Sequence, residues 1–203
     1  SKHSCKQAAN RFPIFIPKAY ADRVEKGNLS DPLLQQVLPT SEELIEKNGF
    51  NTDPVGDEQA QKSDWLLQKY HGRALILTTN KCSINCRFCF RKNLLSEIPS
   101  PTPDKLDSII NEIDSNKSID EVILSGGEPL LFDDNYLSAL FKKLENLDHL
   151  KRIRIHTRML ISIPQRVTDT LITTLKQNNK QIIIVIHCNH PNEIDDNVAN
   201  KLS

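Results

Sequence analysis

The chain has 203 residues, of which 38% are hydrophobic and 26% charged. That composition belongs to globular domains of mixed structure and excludes a disordered or fibrous chain. Its 26 Lys and Arg balance 26 Asp and Glu, so neither nucleic acid nor a membrane is expected as a partner. The longest aliphatic run, 182–186, is far shorter than a bilayer span, and the first 30 residues have no apolar secretory core; a soluble, cytoplasmic protein is expected.

Residues 1–69 carry scattered prolines and short helical patterns, with no strand longer than the 12–16 stretch. They read as an N-terminal, mainly helical or irregular extension. Thr40 and Glu43 have the spacing of a capping box and Gly49 supplies a stop, which predicts a short helix over 41–48.

From residue 70 onward the pattern is regular. Strands are expected at 74–79, 121–124, 153–156 and 182–187, each rich in Ile, Leu or Val. Thr102 and Pro103 open a helix whose stripe is Leu106, Ile109, Ile110 and Ile113. A second helix carries Leu137, Leu140, Phe141 and Leu144, and a third Val167, Leu171, Ile172 and Leu175. Alternation of this kind predicts parallel strands joined by right-handed crossovers, in an open doubly wound sheet or in part of a (β/α) barrel. In both, functional groups gather after the C-terminal ends of strands. The tail from Glu193 to Asn197 reads as a solvated helix start.

The unusual residues fall at those strand ends. Of five cysteines, Cys82, Cys86 and Cys89 crowd into eight residues after the first expected strand. Three thiolates without a second pair suit a 4Fe-4S cluster with one iron left open better than a four-ligand zinc site. Zinc completed by a distant His, or chance crowding, are the alternatives. Cys5 and Cys188 are given no role. After the second strand come Ser125, Gly126, Gly127, Glu128 and Pro129. Two residues without side chains let a ligand lie against bare backbone, and the Glu128 carboxylate suits an ammonium group; the plain alternative is a tight turn into a helix.

Together, the Cys-x-x-x-Cys-x-x-Cys loop with Phe88 before its last cysteine, and the Gly-Gly-Glu motif, resemble the radical S-adenosylmethionine superfamily. The resemblance implies that the three cysteines hold the cluster and that S-adenosyl-L-methionine chelates the open iron. It also implies a 5′-deoxyadenosyl radical that abstracts hydrogen from substrate. Ser125, Gly126, Gly127 and Glu128 would contact the cofactor's methionyl group, with Phe88, Arg158 and His187 at its mouth.

The stretches Lys69-Tyr70-His71-Gly72-Arg73, Cys89-Phe90-Arg91-Lys92, Ile163-Pro164-Gln165-Arg166-Val167 and His187-Cys188-Asn189-His190-Pro191-Asn192-Glu193 further resemble the lysine 2,3-aminomutase family. Within it they resemble the branch that makes β-lysine for modifying elongation factor P. That implies conversion of L-α-lysine to β-lysine, with pyridoxal 5'-phosphate holding the migrating amino group as an imine, and an electron donor as partner. Lys69, Tyr70 and Arg73 would line the pyridoxal phosphate site and Arg91 would clamp the substrate carboxylate. Without the resemblance, Arg73 and Arg91 read equally well as exposed loop charges, and His187 as a hydrogen-bonded strand end. An aminomutase of another amino acid such as glutamate, or a non-catalytic metal-binding domain, are the rival readings. The barrel of such proteins resembles six strand–helix units. Four are expected here, so the imine-forming lysine and the acidic residues for the substrate's distal amino group belong to a later segment, and no catalytic residue is assigned.

Overall fold

Six strands form one sheet in the order of the sequence, in a computed structural model that describes residues 2–203. β1 (Gln61–Ser63), β2 (Leu66–Tyr70) and β3 (Arg73–Thr79) pair antiparallel, whereas β4 (Glu121–Gly126), β5 (Arg152–Thr157) and β6 (Gln181–Ile186) continue from β3 in parallel. The four expected strands are present with ends shifted by one or two residues.

The parallel order decides between the two expected architectures. A doubly wound sheet reverses its strand order at a switch point. Here each strand lies beside its predecessor, so right-handed crossovers place every helix on the same face. The sheet is a partial (β/α) barrel. The helices Pro103–Ser115, Asp134–Glu145 and Asp169–Lys176 bury their apolar stripes against Ala74, Ile76, Val122, Leu124, Ile153 and Ile155. The alternate residues, Arg73, Glu121, Arg152, Arg154 and His156, point to the opposite face.

Two expectations in the first 69 residues need correction. The segment 41–48 is a single 3-10 turn, Ser41–Leu44. The Thr40 N–H does donate to Glu43 Oε1 at 3.0 Å, but Ile45 is 60% exposed, so no apolar stripe is buried to carry the helix on. The 12–16 stretch is irregular, and the strands that this region does contain are β1 and most of β2, paired as a hairpin. The polar β1 sequence hides the hairpin, since the pairing of β1 is dictated by β2 rather than by its own pattern. Among the described residues no helix is long and apolar enough to cross a membrane.

The N-terminal residues reach the far end of the sheet. Phe15 O accepts from the Asn85 N–H at 2.8 Å, Pro13 O from Asn85 Nδ2 at 3.0 Å and Phe12 O from Arg87 Nη1 at 2.5 Å. Beneath them, Tyr20, Leu33, Val37 and Ile84 form a second apolar cluster, with Ile16, Val24 and Cys86 packed on it. The stretch read as an extension is thus a strap across the loop that follows β3.

Candidate active site

Cys82, Cys86 and Cys89 follow β3 and line one cavity of about 330 Å³, together with Phe88, Ser125, Gly126, Gly127, Glu128, Arg158 and His187. The structure therefore brings together all ten residues expected around the cluster and S-adenosylmethionine. Burial, the charges of Cys89 and Cys86 and that of Glu128 push the Cys82 thiol up to about 12, and burial raises those of Cys86 and Cys89 as well. Three crowded thiols in a shielded cavity form a donor set whose deprotonation a bound cation would favour. Among the described residues no three His, Cys, Asp or Glu side chains converge tightly enough to hold a single metal ion. Ligands of one zinc must sit about 2.3 Å from it, whereas each thiolate of a cluster binds its own iron and need not converge on a point. Arg158 Nε, buried without a hydrogen-bond partner, adds a donor suited to sulfur. The donor set fits a cluster better than a lone ion.

Both glycines border the cavity, and the packing of the loop requires them as well. Gly126 has φ +96°, and a Cβ there would lie 2.9 Å from Leu77 Cα. A Cβ on Gly127 would lie 2.0 Å from Lys81 O. On the side where a Cβ would lie, the chain's own backbone fills the space, because the Gly127 and Glu128 N–H groups donate to Thr79 O and Lys81 O, each at 2.7 Å. The motif locks the cysteine loop to β4, and only its remaining surface borders the cavity.

Nor is Glu128 a free charge. Its carboxylate accepts from Thr157 Oγ1 at 2.6 Å, from the N–H groups of Arg158 and Met159 at 2.9 and 3.1 Å, and from the Leu130 N–H at 3.1 Å. Burial nonetheless holds its carboxyl above the ordinary range, against the pull of those four donors.

Arg158 is buried. Its Nη1 donates to Cys86 Sγ at 2.7 Å, and its Nη2 to Gln36 Oε1 at 2.5 Å, Glu193 Oε2 at 2.9 Å and the Tyr20 hydroxyl at 3.3 Å. Glu193, expected at a solvated helix start, is 0% exposed. Burial raises its carboxyl, but Gln36, Arg158 and the Asn189 N–H outweigh this and leave it below the ordinary range. The following helix, Asp196–Leu202, begins at Asp195, whose side chain accepts from the Val198 N–H at 2.8 Å. His187 is exposed beyond β6, edge-on to Phe88 with ring centroids 5.6 Å apart and Nε2 3.0 Å from Asn189 Oδ1.

A second cavity, of about 520 Å³, adjoins the first on the face opposite the helices and is lined by Lys69, Tyr70, Arg73 and Arg91, with Asp57, Phe90 and His156. It gathers all four residues expected at the pyridoxal phosphate and substrate sites. Sequence reasoning missed Asp57, which binds Lys69 Nζ through Oδ1 and Arg91 Nε through Oδ2, each at 2.7 Å. Arg73 Nε lies 2.5 Å from Glu121 Oε1, and Arg152 and Arg154 approach the same carboxylate at 3.1 and 3.4 Å. The cavity lining carries three cations, Lys69, Arg73 and Arg91, against the single carboxylate of Asp57, an excess that suits an anionic ligand. His156 Nε2 is buried without a hydrogen-bond partner, and burial together with Arg154 and Arg91 keeps the ring below the ordinary histidine range. A neutral imidazole with an unused ring nitrogen fits a ligand that hydrogen-bonds. Phe90, Arg91 and His156 border both cavities.

Residues 76–201 match the model of the Radical SAM superfamily. The chain is 39% identical over 195 residues to a protein of Haemophilus influenzae named L-lysine 2,3-aminomutase, covering 96% of this chain and 58% of the relative. It is also 39% identical over 191 residues to the protein of that name from Escherichia coli, covering 94% and 56%. To the Glutamate 2,3-aminomutase of Clostridioides difficile it is 31% identical over 197 residues, covering 95% and 46%. The chain thus spans about half the length of these curated relatives.

Proposed function

Because the chain belongs to the Radical SAM superfamily, we propose that it forms the cofactor-bearing part of an isomerase, a cytoplasmic lysine 2,3-aminomutase that converts L-lysine to β-lysine for the modification of elongation factor P. Residues 1–69 supply the strap and, at their end, β1 and most of β2, and residues 70–203 form the barrel. Cys82, Cys86 and Cys89 hold the 4Fe-4S cluster, while Phe88, Ser125–Glu128 and His187 surround S-adenosylmethionine. Lys69, Tyr70 and Arg73 take pyridoxal phosphate. When bound, these groups supply a one-electron cleavage that makes an organic radical and a carrier for the migrating amine.

The observation that carries the reading is the border shared by the two cavities, with Phe90, Arg91 and His156 in both. Radical chemistry started beside the cysteines has a protein-lined way to a substrate held in the basic cavity. Arg91 stands on that border, and its guanidinium is suited to grip a carboxylate in two-point fashion. Asp57 orients it. Lys69 and Arg73 supply charge for a phosphate, and the apolar Phe90 and Ile123 help exclude water.

Electron paramagnetic resonance of the anaerobically reconstituted, reduced protein, with and without S-adenosylmethionine, tests the platform. A reduced cluster signal that shifts on addition is expected; zinc in place of iron overturns the reading. Anaerobic incubation of the complete protein with reductant, both organic cofactors and either L-lysine or L-glutamate tests the substrate. β-Lysine is expected, and isomerised glutamate without β-lysine would transfer the assignment to the activity for which the Clostridioides relative is named.

A further inference from the structure

On the reading of the three cysteines as cluster ligands, we propose that Arg158 sets the cluster's reduction potential by placing a fixed, hydrogen-bonded positive charge on the sulfur of Cys86. The residue follows β5 and is 5% exposed. Its Nη1 lies 2.7 Å from Cys86 Sγ, and its guanidinium carbon sits 5.3 Å from the Phe88 ring centroid and 5.5 Å from that of Tyr20. Two aromatic faces and a sulfur leave the group little freedom.

What fixes it is Glu193, a carboxylate with no exposure and every oxygen engaged. Oε2 accepts from Arg158 Nη2, and Oε1 accepts from Gln36 Nε2 at 3.0 Å and from the N–H groups of Asn189 and His190 at 2.9 and 3.1 Å. The carboxylate therefore pulls from behind while the guanidinium's other arm meets the sulfur. The pair is neutral overall, but it is oriented with its positive end toward the cysteine loop. Cys86 is singled out by this arrangement. The sulfur of Cys89 meets the peptide N–H groups of Arg91 and Lys92 and lies within reach of those two side-chain charges, whereas Cys86 takes its hydrogen bond directly from a guanidinium.

The electrostatic consequence has a definite sign. Reduction adds one electron to the cluster, supplied by a low-potential one-electron donor, and a positive charge held in a shielded cavity stabilises the more negative product. Hydrogen bonds to ligand sulfurs act in the same direction. Removing the charge therefore lowers the potential, and removing the opposing charge behind it raises the potential.

The test is a dithionite titration of the intact, reconstituted chain, followed by the cluster's paramagnetic signal, with iron content and thermal unfolding measured alongside. Arg158→Gln is expected to make reduction at least tenfold less favourable, 59 mV for a one-electron couple. Arg158→Lys, which keeps the charge, should lie closer to the parent than Arg158→Gln does. Glu193→Gln should shift the potential in the opposite direction. Equal shifts for Arg158→Gln and Arg158→Lys, or iron-loaded Arg158→Gln with the parent potential, would overturn the assignment. So would failure of both Arg158 variants to load iron, which would make the residue a structural brace. A parent chain that binds no cluster would instead overturn the proposed function itself, so the two failures are distinguishable.

Discussion

The two adjoining cavities are built by different means. The one around the cysteines is made by backbone: loops pressed together at glycines and tied by main-chain bonds, with one buried arginine threaded between elements. The basic cavity is made by side chains, with Asp57 and Glu121 each holding opposing cations on the face that the helices leave open. Geometry fixed by backbone cannot adjust to a substitution, whereas geometry fixed by partly exposed ion pairs can. Damage to the first should unfold it, and damage to the second should change what it binds.

The sharpest break is Gly127→Ala. A methyl group 2.0 Å from Lys81 O must push the cysteine loop away from β4 and break the Glu128 N–H bond to Lys81 O. The expected cost is about 3 kcal/mol or more, read as a lowered unfolding midpoint, together with loss of most reconstituted iron. Parent iron content at parent stability would show that the loop yields, and the contrast would fall.

Glu128→Ala comes next. Removing a carboxylate that serves four buried donors leaves them unpaired, at a cost of about 2–3 kcal/mol in urea unfolding. Glu128→Gln should lose less, since its amide oxygen still accepts. A change within 0.5 kcal/mol for the alanine variant, the ordinary scatter of surface substitutions, would return Glu128 to the role of a spare charge for a ligand.

The same contrast explains what was legible in the sequence. The four parallel strands were, because Ile, Leu and Val mark them and the stripe Leu106, Ile109, Ile110, Ile113 marks a helix that covers them. The cysteines and the Gly-Gly-Glu motif were, because their spacing is local. β1 and β2 were missed, since β1 is a polar three-residue strand with no pattern of its own and β2 has only the pair Leu66 and Leu67 to mark it. Glu193 was misread because its neutralising partner lies 35 residues back, and Gln36 meets Arg158 across 122 residues. The capping spacing at Thr40 and Glu43 was read correctly, but the helix it announced has no apolar face to bury. Local pattern reports elements and loops; it does not report which distant charge will meet which.

For the basic cavity, binding rather than folding should respond. Arg73 is 44% exposed at its side chain, so its pair with Glu121 contributes about 1 kcal/mol or less to stability. Arg73→Gln should leave the unfolding midpoint nearly unchanged while weakening pyridoxal phosphate binding about tenfold, or about 1.4 kcal/mol, as read by absorbance titration. Unchanged affinity would remove Arg73 from the phosphate site, and a collapse of stability would erase the distinction between the cavities.

The smallest effect is a response to acid, and its sign separates the carboxylates of the two regions. Glu121 is buried, which raises its carboxyl, but Arg154, Arg73 and Arg152 outweigh that burial and bring it below the ordinary range. A carboxylate depressed on folding contributes stability that is present above the unfolded value, about 4.3, and is lost as pH falls through the folded value. Glu128, raised on folding, behaves oppositely: protonation relieves its burial, so its own contribution becomes more favourable as pH falls into the carboxylate range. Comparison of Glu121→Gln with the parent chain should therefore show a stability gap at neutral pH that narrows below about pH 4.3. Glu128→Gln should show a gap that does not narrow there. If both gaps close together in acid, the two carboxylates are held alike, and the difference between a cavity of backbone and a cavity of ion pairs does not extend to their charges.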